Sequence, residues 1–193
     1  MTETSKLSIA NGAKLTHETF EEFRQRLHYD CRGEGVRDHG TANAVFTVQE
    51  KRMVTGLDAE YGEKLVYDNT GDFMHWFSPQ EYWDDLDDEE RDELDRHARN
   101  FMDDPNCTFI ALNVDQKWDV LEDLPTLDVG YYTWQWKYIN GHLTQAAAEA
   151  FIKRKQHDYG ELRIFVESSY WGWELNEIRD AILDGRLVLK EVV

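Results

Sequence analysis

Cysteine is scarce: 193 residues contain only Cys31 and Cys107. Two thiols build no disulfide framework, which excludes a small secreted scaffold held together by bridges. No stretch approaches the roughly 18–20 consecutive apolar residues of a membrane-spanning helix. Met1-Thr2-Glu3-Thr4-Ser5-Lys6 leads into no apolar signal core. A reducing cytoplasm is therefore the expected compartment, and no membrane partner is expected. Chemical signatures are missing too. There is no Gly-rich phosphate loop, H-E-x-x-H, G-x-S-x-G or paired C-x-x-C. No cofactor and no metal are expected, and the balance of residues is against an enzyme.

What is present is an aromatic-rich, acidic chain. Aromatic residues reach 13% and hydrophobic ones 41%, which argues against disorder despite a net charge of −18. The length suits a single domain over 1–193 with a real core. The charge is not spread evenly. Residues 1–57 hold 8 basic and 8 acidic groups, and residues 129–193 hold 8 and 9. Residues 58–128 hold 5 basic and 22 acidic groups, a net of −17. A localised excess gives a directional field that repels nucleic acid and anionic membrane and attracts basic surfaces.

The periodicities place a loose lead-in over 1–14, then a helix capped by Thr16 or Thr19 with Phe20, Phe23 and Leu27 on one face. The glycines of 31–40 read as a loop. Strands are expected over 42–48, 52–57, 64–67, 108–114, 118–121, 129–139, 162–167 and 187–192. Ser78-Pro79-Gln80-Glu81 is a capping box with proline at the first helical position. The helix it opens is expected to run to about Met102, as an acidic helical insertion over 78–104. Asn140-Gly141 reads as a turn and Thr144 as the cap of a helix ending near Gly160. Ser168 or Ser169 is expected to start the last helix, with Gly185 beyond its end. Helices and strands alternate irregularly, which predicts an α+β fold: a mainly antiparallel or mixed sheet with three to four packed helices.

Asp84, Asp85, Asp87, Asp88, Glu89, Glu90, Asp92, Glu93 and Asp95 put nine acids into twelve residues, interrupted by one base, Arg91. Twelve helical residues span roughly 18 Å, a linear charge density close to the one charge per about 1.7 Å of duplex DNA. A plain solvated face normally carries compensating bases at i+4. Here those are few, so the run is a candidate surface for a basic protein, with Trp76, Phe77 and Trp83 as aromatic anchors. No calcium-loop pattern lies within it.

A second constellation is His-x-Thr. His39-Gly40-Thr41 and His142-Leu143-Thr144 suit a two-histidine phosphodiesterase acting on RNA or cyclic nucleotides, in which two histidines act as acid and base and two hydroxyls hold the phosphate. A turn histidine beside a capping threonine is the plainer reading. Glu93 and His97 at i, i+4 are too few for a metal site, and Cys31 near His28 is weak grounds for a nucleophile. Tyr132, Trp134, Trp136 and Tyr138 alternate along one strand face. That face reads as sheet core under helices more than as a base-stacking platform. Tyr170-Trp171-Gly172-Trp173 reads as an exposed aromatic spot.

Two stretches resemble a group of uncharacterised bacteriophage and prophage accessory proteins. One is His39-Gly-Thr-Ala-Asn43-Ala-Val-Phe46-Thr-Val48-Gln49 with Gly56-Leu-Asp58-Ala-Glu-Tyr61. The other is Leu143-Thr-Gln-Ala-Ala-Ala-Glu-Ala-Phe151-Ile152 with Arg163-Ile-Phe-Val-Glu-Ser-Ser-Tyr170. Together they cover about a third of the chain. The resemblance implies phage origin and action in the host bacterial cytoplasm, and it transfers no catalytic residue. The resulting expectation is an acidic inhibitor, in effect a DNA mimic. It would occupy a basic host protein or nucleoprotein complex without binding nucleic acid directly. A phage structural or assembly component is the further alternative.

Overall fold

The computed structural model describes residues 7–71 and 74–190. The fold is α+β, with seven α-helices among the described residues and one five-stranded sheet in the order β3-β2-β4-β1-β5. The chain divides into two compact units. One comprises Met1–Arg52 with Trp136–Val193, and the other Met53–Gln135. The division coincides with the charge. Residues 53–135 hold 22 acidic and 5 basic groups, net −17, and the remainder 17 and 16, net −1.

The near-neutral unit begins with a short 3-10 turn, Ile9–Asn11. The lead-in is not loose over its described part. Ser8 is fully buried and accepts from Arg26 Nη2 at 3.0 Å, and Arg154 donates to the Ala10 carbonyl at 2.8 Å. Residues 1–6 of the expected lead-in lie outside the described residues. Helix α1, His17–Arg32, starts where Thr16 and Thr19 cap each other reciprocally. The expected loop over 31–40 is mostly helix: α1 takes Cys31 and Arg32, and α2 covers Gly35–His39. Gly33 and Gly35 are there for space rather than for a loop, since a Cβ on either would sit 2.9 Å from the backbone of Tyr29.

The two strands expected over 42–48 and 52–57 are one, β1, Ala44–Thr55. β5, Leu162–Ser168, pairs with it antiparallel. Helix α6, Gln145–Lys155, covers one face of that pair, burying Phe46, Val48 and Ala148 against Phe151, Ile164 and Val166. Helix α7, Trp173–Leu183, packs Ile182 and Leu183 on Phe20, Leu27 and Cys31 of α1. Gly185 takes the positive φ of 73° beyond its end. No strand forms over 187–190, and 191–193 lie outside the described residues.

In the acidic unit, β2 (Glu63–Asp68) pairs with the two-residue β3 (His75–Trp76) and with β4 (Leu127–His142). β4 runs straight through Asn140-Gly141, so the expected turn there is absent. The long acidic helix is two helices, α3 (Pro79–Asp85) and α4 (Asp88–Met102), broken at Leu86, where ψ is 146°. The reason is a second capping box. Asp87 accepts from the amides of Glu89 and Glu90 while Glu90 reaches back to the Asp87 amide. Helix α5, Val114–Glu122, replaces the strand expected over 118–121, and a 3-10 turn, Phe109–Ala111, replaces that over 108–114. Asn113 and Gln116 form the capping box that starts α5. Leu94 and Ala98 of α4, Phe109, and Trp118, Val120 and Leu121 of α5 close a core with Val66, Trp76 and Leu127.

Candidate functional site

The nine acids of 84–95 separate into two groups. Five are used by the fold. Asp84 accepts from Gln80 at 2.8 Å, and Asp85 from the Trp76 indole N–H at 3.0 Å. Asp87 and Glu90 form the capping box, and Asp95 accepts from the Phe109 amide at 2.7 Å. Of the other four, Asp88, Glu89, Asp92 and Glu93, Asp88 alone has an ion pair, 3.4 Å from Arg91; all nine acids but the half-buried Asp95 are exposed. Arg91 itself is turned back on the helix break. Its Nε donates to the Trp83 carbonyl and its Nη2 to the Asp84 carbonyl, both at 3.1 Å. The base within the run thus satisfies the last carbonyls of α3 as much as it neutralises charge.

Placing a helix start at Asp87 changes the energetics. Asp88, Glu89 and Glu90 occupy the first turn of α4. There the helix dipole favours each anion by about 0.3–1 kcal/mol, which offsets part of the like-charge repulsion expected of one continuous helix.

Of the expected aromatic anchors, Trp76 is 9% exposed, and Phe77 and Trp83 are half-buried. Trp83 stacks on Phe109 with ring centroids 5.7 Å apart, and Phe77 lies against Tyr132 at 4.9 Å. These contacts are internal to the fold. A feature with no sequence signal lies beside them: a cleft of about 510 Å³ along α4, lined by Tyr82, Leu86, Glu93, Leu94, His97 and Leu124 among others. Burial and the charge of Glu90 hold the Tyr82 phenol above its ordinary pKa. His97 Nε2 lies 3.2 Å from Asp123 Oδ2.

The His-x-Thr residues all belong to the near-neutral unit. His39 ends α2 with its ring edge-on to Phe46, 5.3 Å between centroids, and both ring nitrogens are buried. Thr41 donates to Ser168 Oγ at 3.1 Å and accepts from the Asn43 amide. His142 ends β4 against Phe151, and burial lowers its pKa. Thr144 is 1% exposed and accepts from Arg26 at 3.1 Å rather than capping α6 with its side chain. Asp30 takes over there, accepting from the Gln145 amide at 2.9 Å. Thr144 therefore presents no free hydroxyl to a phosphate.

The aromatic face of β4 is only partly core. Tyr132 is buried and donates to Glu63, whereas Trp134 and Tyr138 are exposed. Trp171 and Trp173 are exposed as expected. No group of three or more His, Cys, Asp or Glu among the described residues is arranged to hold a metal ion, and no described helix is long and apolar enough to cross a membrane. No family model, curated protein or solved structure matches the chain.

Proposed function

We propose that the chain is a binding protein of phage type that acts in the host cytoplasm, where its acidic unit occupies a basic, nucleic-acid-binding surface of a host protein. One observation carries this reading: a net −17 confined to residues 53–135, which fold as one compact unit, while the other 110 residues are nearly neutral. Acids kept only for solubility need no such confinement. A field of one sign on one unit speeds encounter with a basic partner and suppresses wrong ones. Asp88, Glu89, Asp92 and Glu93, the exposed acids of the run whose carboxylates neither cap a helix nor bond between elements, are the residues assigned to contact.

The test is capture from bacterial lysate on the immobilised chain, followed by a salt ramp. The quadruple variant Asp88→Lys, Glu89→Lys, Asp92→Lys, Glu93→Lys serves as control. The expected captive leaves at moderate salt, binds DNA or RNA when purified, and loses that binding when the wild-type chain is added. A captive retained equally by the folded quadruple variant would sink the reading.

A further inference from the structure

The near-neutral unit has a sheet face, opposite the one that α6 covers, on which large rings are exposed. β1 and β5 pair with Thr47 opposite Phe165 and Gln49 opposite Arg163. The alternate residues Phe46, Val48, Ile164 and Val166 turn towards α6. Strand alternation therefore puts Gln49, Arg163 and Phe165 on the other side. β4 lies next to β1 and brings Trp136 to this side. The guanidinium carbon of Arg163 is 4.2 Å from the centroid of the Trp136 ring and 5.2 Å from that of Phe165. Its Nε and Nη2 both donate to Gln49 Oε1, at 3.0 and 2.8 Å. Phe165 is 44% exposed, and Tyr138, two residues along β4 from Trp136, is 63% exposed.

Two features of this face point to its ligand. Large rings are left in water on a sheet whose other side is packed. Among them sits a cation whose hydrogen bonds, among the described residues, go to a neutral amide oxygen and to no carboxylate. The complement of a fixed cation set among exposed rings is an anion that carries flat aromatic groups. Single-stranded nucleic acid is such a ligand, since unpaired bases stack on aromatic rings and guanidinium planes alike. Duplex hides its base faces and cannot use the same surface.

We propose that this face of the near-neutral unit binds single-stranded nucleic acid, bases stacking on Tyr138, Trp136 and Phe165 and Arg163 meeting a phosphate. The whole-chain charge had argued against any nucleic-acid ligand. The excess is confined to residues 53–135, and the unit that carries this face has a net charge of −1. This inference does not depend on the acidic unit's proposed partner.

The experiment titrates the full chain into fluorescein-labelled 12-mers of dT and rU, read by polarisation and by tryptophan quenching. Single strands are expected to bind at least tenfold more tightly than a 12-base-pair duplex. Arg163→Gln and Phe165→Ala should each weaken binding at least tenfold with melting unchanged, and Arg163→Lys should fall between. With one phosphate engaged, raising salt from 50 to 300 mM should cost no more than about fourfold. If Arg163→Gln fails to fold, Tyr138→Ala carries the same test on an exposed side chain. Absence of single-strand binding at 100 µM chain, or equal binding of duplex, overturns the proposal. So does full binding by the folded variants. A concentration-dependent dimer that Arg163→Gln dissociates would overturn it in favour of a second copy of the chain as the occupant.

Discussion

The two units differ in charge, not in whether they leave rings in water. Residues 53–135 bury Trp76 and Trp118 in the core, leave Tyr61 and Trp134 exposed, and present a large excess of carboxylates. The other unit leaves Tyr138, Phe165, Trp171 and Trp173 in water and balances its charges. A large ring left exposed forfeits burial that amounts to about 1.5–3 kcal/mol for a full side chain, so rings gathered on one sheet face around a cation suggest use. The comparison also separates the two modes of binding proposed. One is long-ranged and strongly salt-sensitive, and the other is short-ranged and only weakly salt-dependent.

The largest effects should come from the cores that define the units. Phe109→Ala empties a fully buried position in the acidic unit, and Phe46→Ala does the same in the other. Each should cost about 3–5 kcal/mol. Amide hydrogen exchange should localise the loosening to α4 and α5 for Phe109→Ala, and to α6 and β5 for Phe46→Ala. Identical exchange patterns for the two variants would dissolve the distinction between the units.

Next in size is the charge reversal at Asp88, Glu89, Asp92 and Glu93. Removing four negative charges and adding four positive ones should weaken the acidic unit's partner about a hundredfold at 100 mM salt, as complementarity on this scale implies. Single-strand binding by the other face should change less than threefold. A parallel loss in both assays would mean that the charge acts on the chain as a whole.

Within the acidic run, Asp87 and Asp92 offer a finer contrast. Asp87→Ala removes the cap that accepts from the Glu89 and Glu90 amides, and should cost about 1 kcal/mol in urea unfolding. Asp92→Ala touches no such bond and should change stability by less than about 0.5 kcal/mol while weakening partner binding. Opposite assignments would mean that the division between acids the fold uses and acids it does not is drawn in the wrong place.

That division was readable in part. Asp87-x-x-Glu90 is the same signature as Ser78-x-x-Glu81, but flanking acids disguise it as helix interior, so the sequence pattern shows one helix where there are two. Asn113-x-x-Gln116 was likewise hidden by the apolar run Phe109-Ile-Ala-Leu112, which has the composition of a strand. Alternation in β4, and the caps at Thr16 and Ser78, are plain because one local pattern dominates there. The charge boundary was visible to within a few residues, since composition needs no geometry. The open face around Arg163 was not legible: it depends on residues 49, 136 and 163 meeting across three strands. Alternation along β4 shows which residues share a face but not whether that face is packed.

The smallest effect separates the units by pH. His142 has its Nε2 buried against Phe151. Burial lowers its pKa below the ordinary 6.5, and the nearby Arg154 charge adds to this. A group whose folded pKa is depressed contributes stability that is complete above the unfolded pKa and is lost as the pH falls through the folded value. The near-neutral unit should therefore weaken as the pH falls from 7 towards 5. Asp30 has the opposite sign, because burial raises its pKa. Its contribution is complete below the unfolded value, near 4, and is lost as the pH rises through the folded one. His142→Phe should remove the weakening on the acid side, and any slope that remains from Asp30 should have the opposite sign. Urea midpoints at pH 7, 6 and 5, read through amides of α6, measure the difference between the two proteins. Parallel curves for the wild type and His142→Phe would mean that the buried imidazole is not what senses the proton.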